Sequence, residues 1–312
     1  MRTRADRGGG PPTAVGILLA EHVLRIVRVT RDDPFTLTDA AELRLTPGAL
    51  PDGRVGDVAT ASGLVRRLWA QLDLGFEPAV LAIGSPDVEL LAIDPTSDDA
   101  TRRVVERARW IAHDPADALV VLPQEESDGR IASLVALRST VQAVGRAAED
   151  AGIARPAVDG VPAALLRLAR LVGATERIAL VDGPSTWRVV LDPLHSELDT
   201  YVAVADPTAS GTTEAPVLVV DGEPLELGDR IGDVVVADRV RAGFATAALA
   251  VPALLARQRL VGGDLAPDLR DAALSLPLGG HGDTVEDAGA AWRAEYLGPL
   301  DAPATQRRRK AG

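Results

Sequence analysis

Apolar residues in this chain fall into short runs that alternate in type. Val15–Leu19 and Leu24–Val29 are largely apolar and separated by Ala20-Glu21-His22-Val23, a spacing that predicts two strands joined by a tight turn. Thr36–Leu45 alternates partially and reads as a third strand. Leu64, Leu68 and Leu72 share one helical face, so a helix is expected from about Ser62 to Leu72, stopping before Gly75. Ala79–Gly84 is uniformly apolar, as in a strand buried on both faces, and Val88–Ile93 forms another. Ser97 caps a helix expected to reach Ala112, and Leu119–Leu122 and Ile131–Leu137 pair across a Ser127–Gly129 turn.

Ser139 is the expected cap of the next helix, which stops at Gly152, and Pro162 opens another that runs to Gly173. A second apolar pair then flanks Asp182-Gly183-Pro184-Ser185-Thr186. Strands are expected at Thr200–Val204, Val217–Val220 and Val234–Val236, with one or two helices between Ala242 and Leu260. This alternation is that of an α/β protein. The expected organisation is a flexible leader over 1–12, a first subdomain with an insert over 13–158, a shortened second subdomain over 159–277 and a mostly disordered tail over 278–312, where Trp292 and Tyr296 could dock a short helix.

Composition narrows the chemistry. A net charge of −12 argues against general binding to nucleic acid or anionic membranes. The chain has no Cys, which excludes thiol catalysis and Cys-type zinc sites. Its one Lys is Lys310, so a phosphate loop ending Gly-Lys-Ser/Thr cannot exist. The longest apolar run, Ala242–Ala256, is broken by Thr246 and Pro252 and is shorter than the roughly 20 residues of a membrane span. The expectation is a cytoplasmic protein without a signal peptide, peripheral at most to the inner face of the cell membrane.

The ordered motifs resemble the PilM-type branch of the actin-like ATPase superfamily. Gly16 opens the first hairpin. Ala79-Val-Leu-Ala-Ile-Gly-Ser-Pro-Asp-Val-Glu-Leu-Leu-Ala-Ile-Asp-Pro95 resembles the strand, turn and strand that precede the family's inserted subdomain. Glu106-Arg-Ala-Arg-Trp-Ile-Ala-His-Asp-Pro115 resembles the helix of that insert, and Ala151–Leu165 the run into a second phosphate hairpin. The resemblance covers about the first 190 residues. It implies an actin/Hsp70-like (ribonuclease H-like) fold of duplicated subdomains with a smaller inserted subdomain, its two hairpins facing each other across a nucleotide.

The residues that would hold nucleotide by this resemblance are Gly16, Asp182, Gly183, Ser185, Thr186 and Gly222, the last in a remnant of the adenosine-side turn. The first hairpin departs from the pattern: Leu18 stands where the family has a Mg²⁺-organising Asp, and Glu21 adds negative charge where phosphate would sit. The resemblance therefore implies a degenerate ATPase, with no cofactor beyond weak Mg-ATP. Its role would be a non-catalytic scaffold of a membrane-associated pilus or secretion-type assembly that captures a cytoplasmic peptide of a membrane partner. A Mg-ATP-dependent ATPase or kinase of the same superfamily is the alternative, and a regulatory module of a cell-envelope system is a third.

Smaller features have readings in both directions. Glu21 and His22 could form an acid–base pair or a solvent-facing turn. Asp159 could position a water at the crossing between halves or start a helix beside Gly160. Arg307–Lys310 could touch anionic lipid or remain solvated. No metal site has support, because the four His are scattered.

Overall fold

A computed structural model describes residues 12–84, 87–93, 118–127, 130–191, 200–204, 215–263, 266–271 and 274–277. Most of the expected leader 1–12, the expected helix 97–112 and the tail 278–312 lie outside the described residues. The first sheet is built on a meander, β1 (Thr13–Leu19), β2 (Val23–Thr30) and β3 (Phe35–Arg44). β4 (Ala79–Ile83) pairs parallel to β1, and β8 (Ala157–Gly160) pairs parallel to β4. The order β3-β2-β1-β4-β8 is that of a ribonuclease H-like half. β15 (Val234–Val236), parallel to β3, and β14 (Arg230–Ile231) extend its edge. The first sheet thus takes strands from both sides of residue 158, so the expected division at that position separates stretches of chain but not sheets.

β1 is covered on both faces, which is why its sequence does not alternate. α1 (Val58–Gln71) turns Ala61, Val65, Leu68 and Trp69 inward and packs beside α2 (Arg138–Asp150). After the short helix α4 (Asp238–Arg241), α5 (Thr246–Gly262) packs against β1, β2 and β4. Its stretch Ala248–Ala256 is apolar all round because it is buried all round, while Arg257, Gln258 and Arg259 bring the last turns to the surface. Gly16 makes this approach possible: a Cβ there would lie 1.8 Å from the Pro252 carbonyl oxygen.

The second sheet repeats the hairpin device. β9 (Arg177–Asp182), β10 (Ser185–Val190) and β11 (Thr200–Val204) form a second meander. Its fourth position is filled differently. β12 (Val217–Val220) runs antiparallel to β9 and turns back into β13 (Glu223–Leu225). Val217–Pro224 is therefore an edge hairpin of the second sheet. A third, four-stranded sheet contains β5 (Val88–Ile93), β6 (Ala118–Ser127), β7 (Arg130–Leu137) and β16 (Leu274–Pro277). β5, β6 and β7 branch from the chain between β4 and α2, and β16 joins them from beyond α5 by pairing with β6. α3 (Val161–Val172) leads from β8 to the second sheet and packs on β9, β10 and α5. Together these elements make the actin/Hsp70-like α/β fold, with its second half cut down.

Three helix boundaries differ from expectation. α1 begins four residues before Ser62, because Asp57 caps it by accepting the Ala59 N–H at 3.0 Å. It ends before Asp73, which takes the left-handed conformation (φ 50°) expected of Gly75. Ser139 lies inside α2 rather than capping it; Leu137 holds the cap position with no side-chain bond. The expected stops at Gly152 and Gly173 are present, both with positive φ, and Pro162 sits in the first turn of α3.

Gly16→Val should overpack the β1–α5 contact and lower stability by about 1–3 kcal/mol or more, read as a reduced midpoint in urea unfolding; an unchanged midpoint would mean that α5 does not sit on β1.

Candidate functional site: the junction of two hairpins

The turns that join β1 to β2 and β9 to β10 meet face to face. β2 carries two arginines, Arg28, which reaches Asp39 and Glu77 at the surface, and Arg25, whose side chain is fully buried. A buried guanidinium needs partners on every side. Its Nε donates to Glu42 Oε2 at 2.6 Å, from the residue directly opposite on β3. Its two terminal nitrogens both donate to the Asp182 carboxylate at the end of β9, Nη2 to Oδ1 at 3.1 Å and Nη1 to Oδ2. This bidentate pair ties the first sheet to the second.

His22 completes the clasp. Its Nδ1 lies 3.2 Å from the Ser185 hydroxyl. Its Nε2 is buried and sits 3.4 Å from Asp182 Oδ1, close enough to feel the charge but without a well-aligned hydrogen bond. The imidazole also covers Gly183, where a Cβ would meet the ring at 3.4 Å. Beneath the turns, Trp187 is buried and its Nε1 donates to the Gly84 carbonyl at 3.2 Å. Gly84 N–H donates in turn to the Leu19 carbonyl at 3.1 Å, so the ends of β1, β4 and β10 are linked through one residue.

Burial alone pushes the Asp182 carboxyl up, but His22 beside it and the hydrogen bonds and charge of Arg25 outweigh that and bring it down to about 2. Burial likewise lowers Arg25, and Asp182 and Glu42 together more than restore it, leaving it above its usual value. Both groups are charged throughout the ordinary pH range.

Two other buried carboxylates near the strand ends are also held by arginine. Asp159 on β8 pairs with Arg167 of α3 at 2.7 Å and accepts the Gly160 N–H, so it opens α3 and does not present itself to solvent. Asp87 takes a fork from Arg54 at 2.8–2.9 Å and the Thr140 hydroxyl at 2.9 Å.

The six residues expected to hold nucleotide are thus distributed. Asp182, Gly183 and Ser185 come together at the junction, against His22 rather than around a gap. Thr186 is paired with Val181, on the opposite face of its sheet from Asp182 and Trp187. Gly222 lies in the β12–β13 turn beside the Arg177 guanidinium, at the far end of β9 and about 17 Å along the strand from Asp182. Gly16 lies under α5. Asp221, next to Gly222, accepts backbone N–H groups of Arg177, Thr175 and Glu176, which hold its carboxyl well below the usual range.

These residues do not fit Mg²⁺ and phosphate. Leu18 is a buried hydrocarbon, the Asp182 oxygens are engaged by Arg25, and the His22 ring stands on the turn that would have to admit a phosphate. Among the described residues no cluster of His, Asp and Glu is arranged to bind a metal ion. Sequence reasoning missed Arg25 and Glu42; Arg25 and Arg28 stand three residues apart in the same strand, and nothing local tells the buried one from the partly exposed one.

No family model and no curated protein matches the chain. Solved structures do. The chain is similar to a PilM–PilN type IV pilus biogenesis complex, at 21% identity over 68% of this chain and 59% of that one, with a TM-score of 0.44. It is similar to the ethanolamine utilization protein EutJ from Carboxydothermus hydrogenoformans, at 18% identity over 64% and 55%, TM-score 0.38. A third is the cytoplasmic domain of EpsL, an inner-membrane component of the type II secretion system of Vibrio cholerae, at 10% identity over 65% and 79%, TM-score 0.38. The match spans less than two thirds of the first two proteins' length. Strand order, not these similarities, defines the fold described above.

Arg25→Met should cost about 3–5 kcal/mol, because it leaves the Asp182 charge buried and uncompensated, and the double variant Arg25→Met/Asp182→Leu should recover much of that loss; urea unfolding of both checks the coupling. The pH dependence has a definite sign. The folded-state value of about 2 lies below the ordinary aspartate value of about 3.9. Asp182 therefore contributes its full share, about 2–3 kcal/mol, above roughly pH 4, and loses it as pH falls through about 2. Asp182→Asn should flatten the stability–pH curve in that interval.

Proposed function

We propose that this protein is a non-catalytic actin-like scaffold that docks a cytoplasmic peptide of a membrane partner in a pilus or secretion-type assembly. The observation that supports the non-catalytic half is the Arg25–Asp182 pair, which fills with protein charge the place where a nucleotide's phosphates would be gripped. Electrostatics point the same way: Glu21, Glu42 and Asp182 gather at the junction against Arg25 and the outlying Arg44, so an added polyanion meets an excess of negative charge. The class of partner follows the sequence resemblance to PilM. No helix among the described residues is long and apolar enough to cross a membrane, consistent with a protein that reaches the membrane through a partner.

The ATPase or kinase alternative draws on Asp182-Gly183-Pro184-Ser185, which keeps the composition of a phosphate turn. It requires Arg25 to release Asp182 and His22 to leave Gly183.

Thermal unfolding with and without millimolar Mg-ATP separates the two readings, since a ligand of the native state raises its melting temperature by mass action. The expected result is no shift, with ATP hydrolysis by the wild type no faster than by Ser185→Ala. A Mg²⁺-dependent rise would overturn the non-catalytic reading.

A further inference from the structure

Away from the junction, a groove of about 350 Å³ runs between α2 and the single helical turn Leu269–Asp271. Its floor is Val141, Gly145 and Leu269. Gly145 has a local reason to be glycine: a Cβ there would lie 3.0 Å from Arg270 Cδ, which crosses above it. Arg270 itself is committed, to Asp268 at 2.9 Å and to Glu149 at 3.2 Å.

The other two arginines of the groove are different. Arg138 and Arg146, with Gln142 between them, recur every four residues along one stripe of α2. Both are exposed, and neither has a hydrogen-bond or ion-pair partner among the described residues. This stands out in a chain of net charge −12 where Asp39, Asp87, Asp159, Asp182 and Asp233 each hold an arginine.

We propose that this groove docks an acidic peptide segment, its carboxylates on Arg138 and Arg146 and a small apolar side chain over Val141 and Leu269. Charge complementarity selects the sign of the occupant. Concavity selects a chain over a flat lipid surface, and Glu149, the one carboxylate of the lining, is paired with Arg270. The proposal deepens the docking reading above and rests on it.

Fluorescence anisotropy of a labelled Glu-Leu alternating peptide tests it, with a Lys-Leu peptide and phosphatidylserine vesicles as parallel arms and Arg138→Glu/Arg146→Glu as the variant. Both positions are exposed, so the variant's melting temperature should match the wild type and report that it folds. The expected result is binding of the acidic peptide only, weakened about tenfold or more by the variant and by raised salt. Equal binding by the variant, preference for the basic peptide, no binding at all, or binding to vesicles in place of the peptide each overturns the groove assignment. Melting with Mg-ATP on the same sample tells the two failures apart: a shift there sinks the scaffold reading whatever the peptide does, and its absence leaves that reading intact when the groove fails.

Discussion

A buried guanidinium facing a buried carboxylate is the constraint on which the relation of the two sheets depends. Arg25 has no water to turn to, and neither has Asp182. Each has been desolvated at a cost that the other offsets, with the help of Glu42 for Arg25 and of His22 for Asp182. Because Arg25 belongs to the first meander and Asp182 to the second, opening the junction would expose or strand both charges. The pair thus opposes the hinge opening that a nucleotide-binding cleft needs in order to admit and release its ligand. Trp187 on Gly84 and His22 on Gly183 add packing to the same seam.

The clasp is one case of a wider substitution. Carboxylates near the strand ends, Asp182, Asp159 and Asp87, all face arginine. Arginine suits this role because its fork satisfies both oxygens of a carboxylate and it stays charged even when buried. The outcome is an interior in which these buried charges are matched by protein partners.

Much of the fold was legible along the chain. The continuous apolar runs of β1 and β4 announced strands covered on both faces, and Gly152, Pro162 and Gly173 marked helix ends through their backbone preferences. The edge hairpin β12–β13 was not recognised, because Val-Leu-Val-Val reads alike for a parallel central strand and an antiparallel outer one. Ser139 was mistaken for a cap because cap residues are also common within a first turn; Asp57 won at α1 through a hydrogen bond that composition alone does not reveal.

The candidate site divides along the same line. Local sequence by itself determined that two similar hairpins exist, that the first carries Leu18 in place of an acidic residue, and that Asp182-Gly183 makes a turn, since those properties depend on neighbours a few residues away. Only the tertiary structure decided what the turns face. Arg25 and Asp182 are 157 positions apart, and no periodicity or propensity links residues at that separation; their meeting follows from how the two sheets pack, which is set by α3 and α5 between them and by the room that Gly16 leaves for a helix.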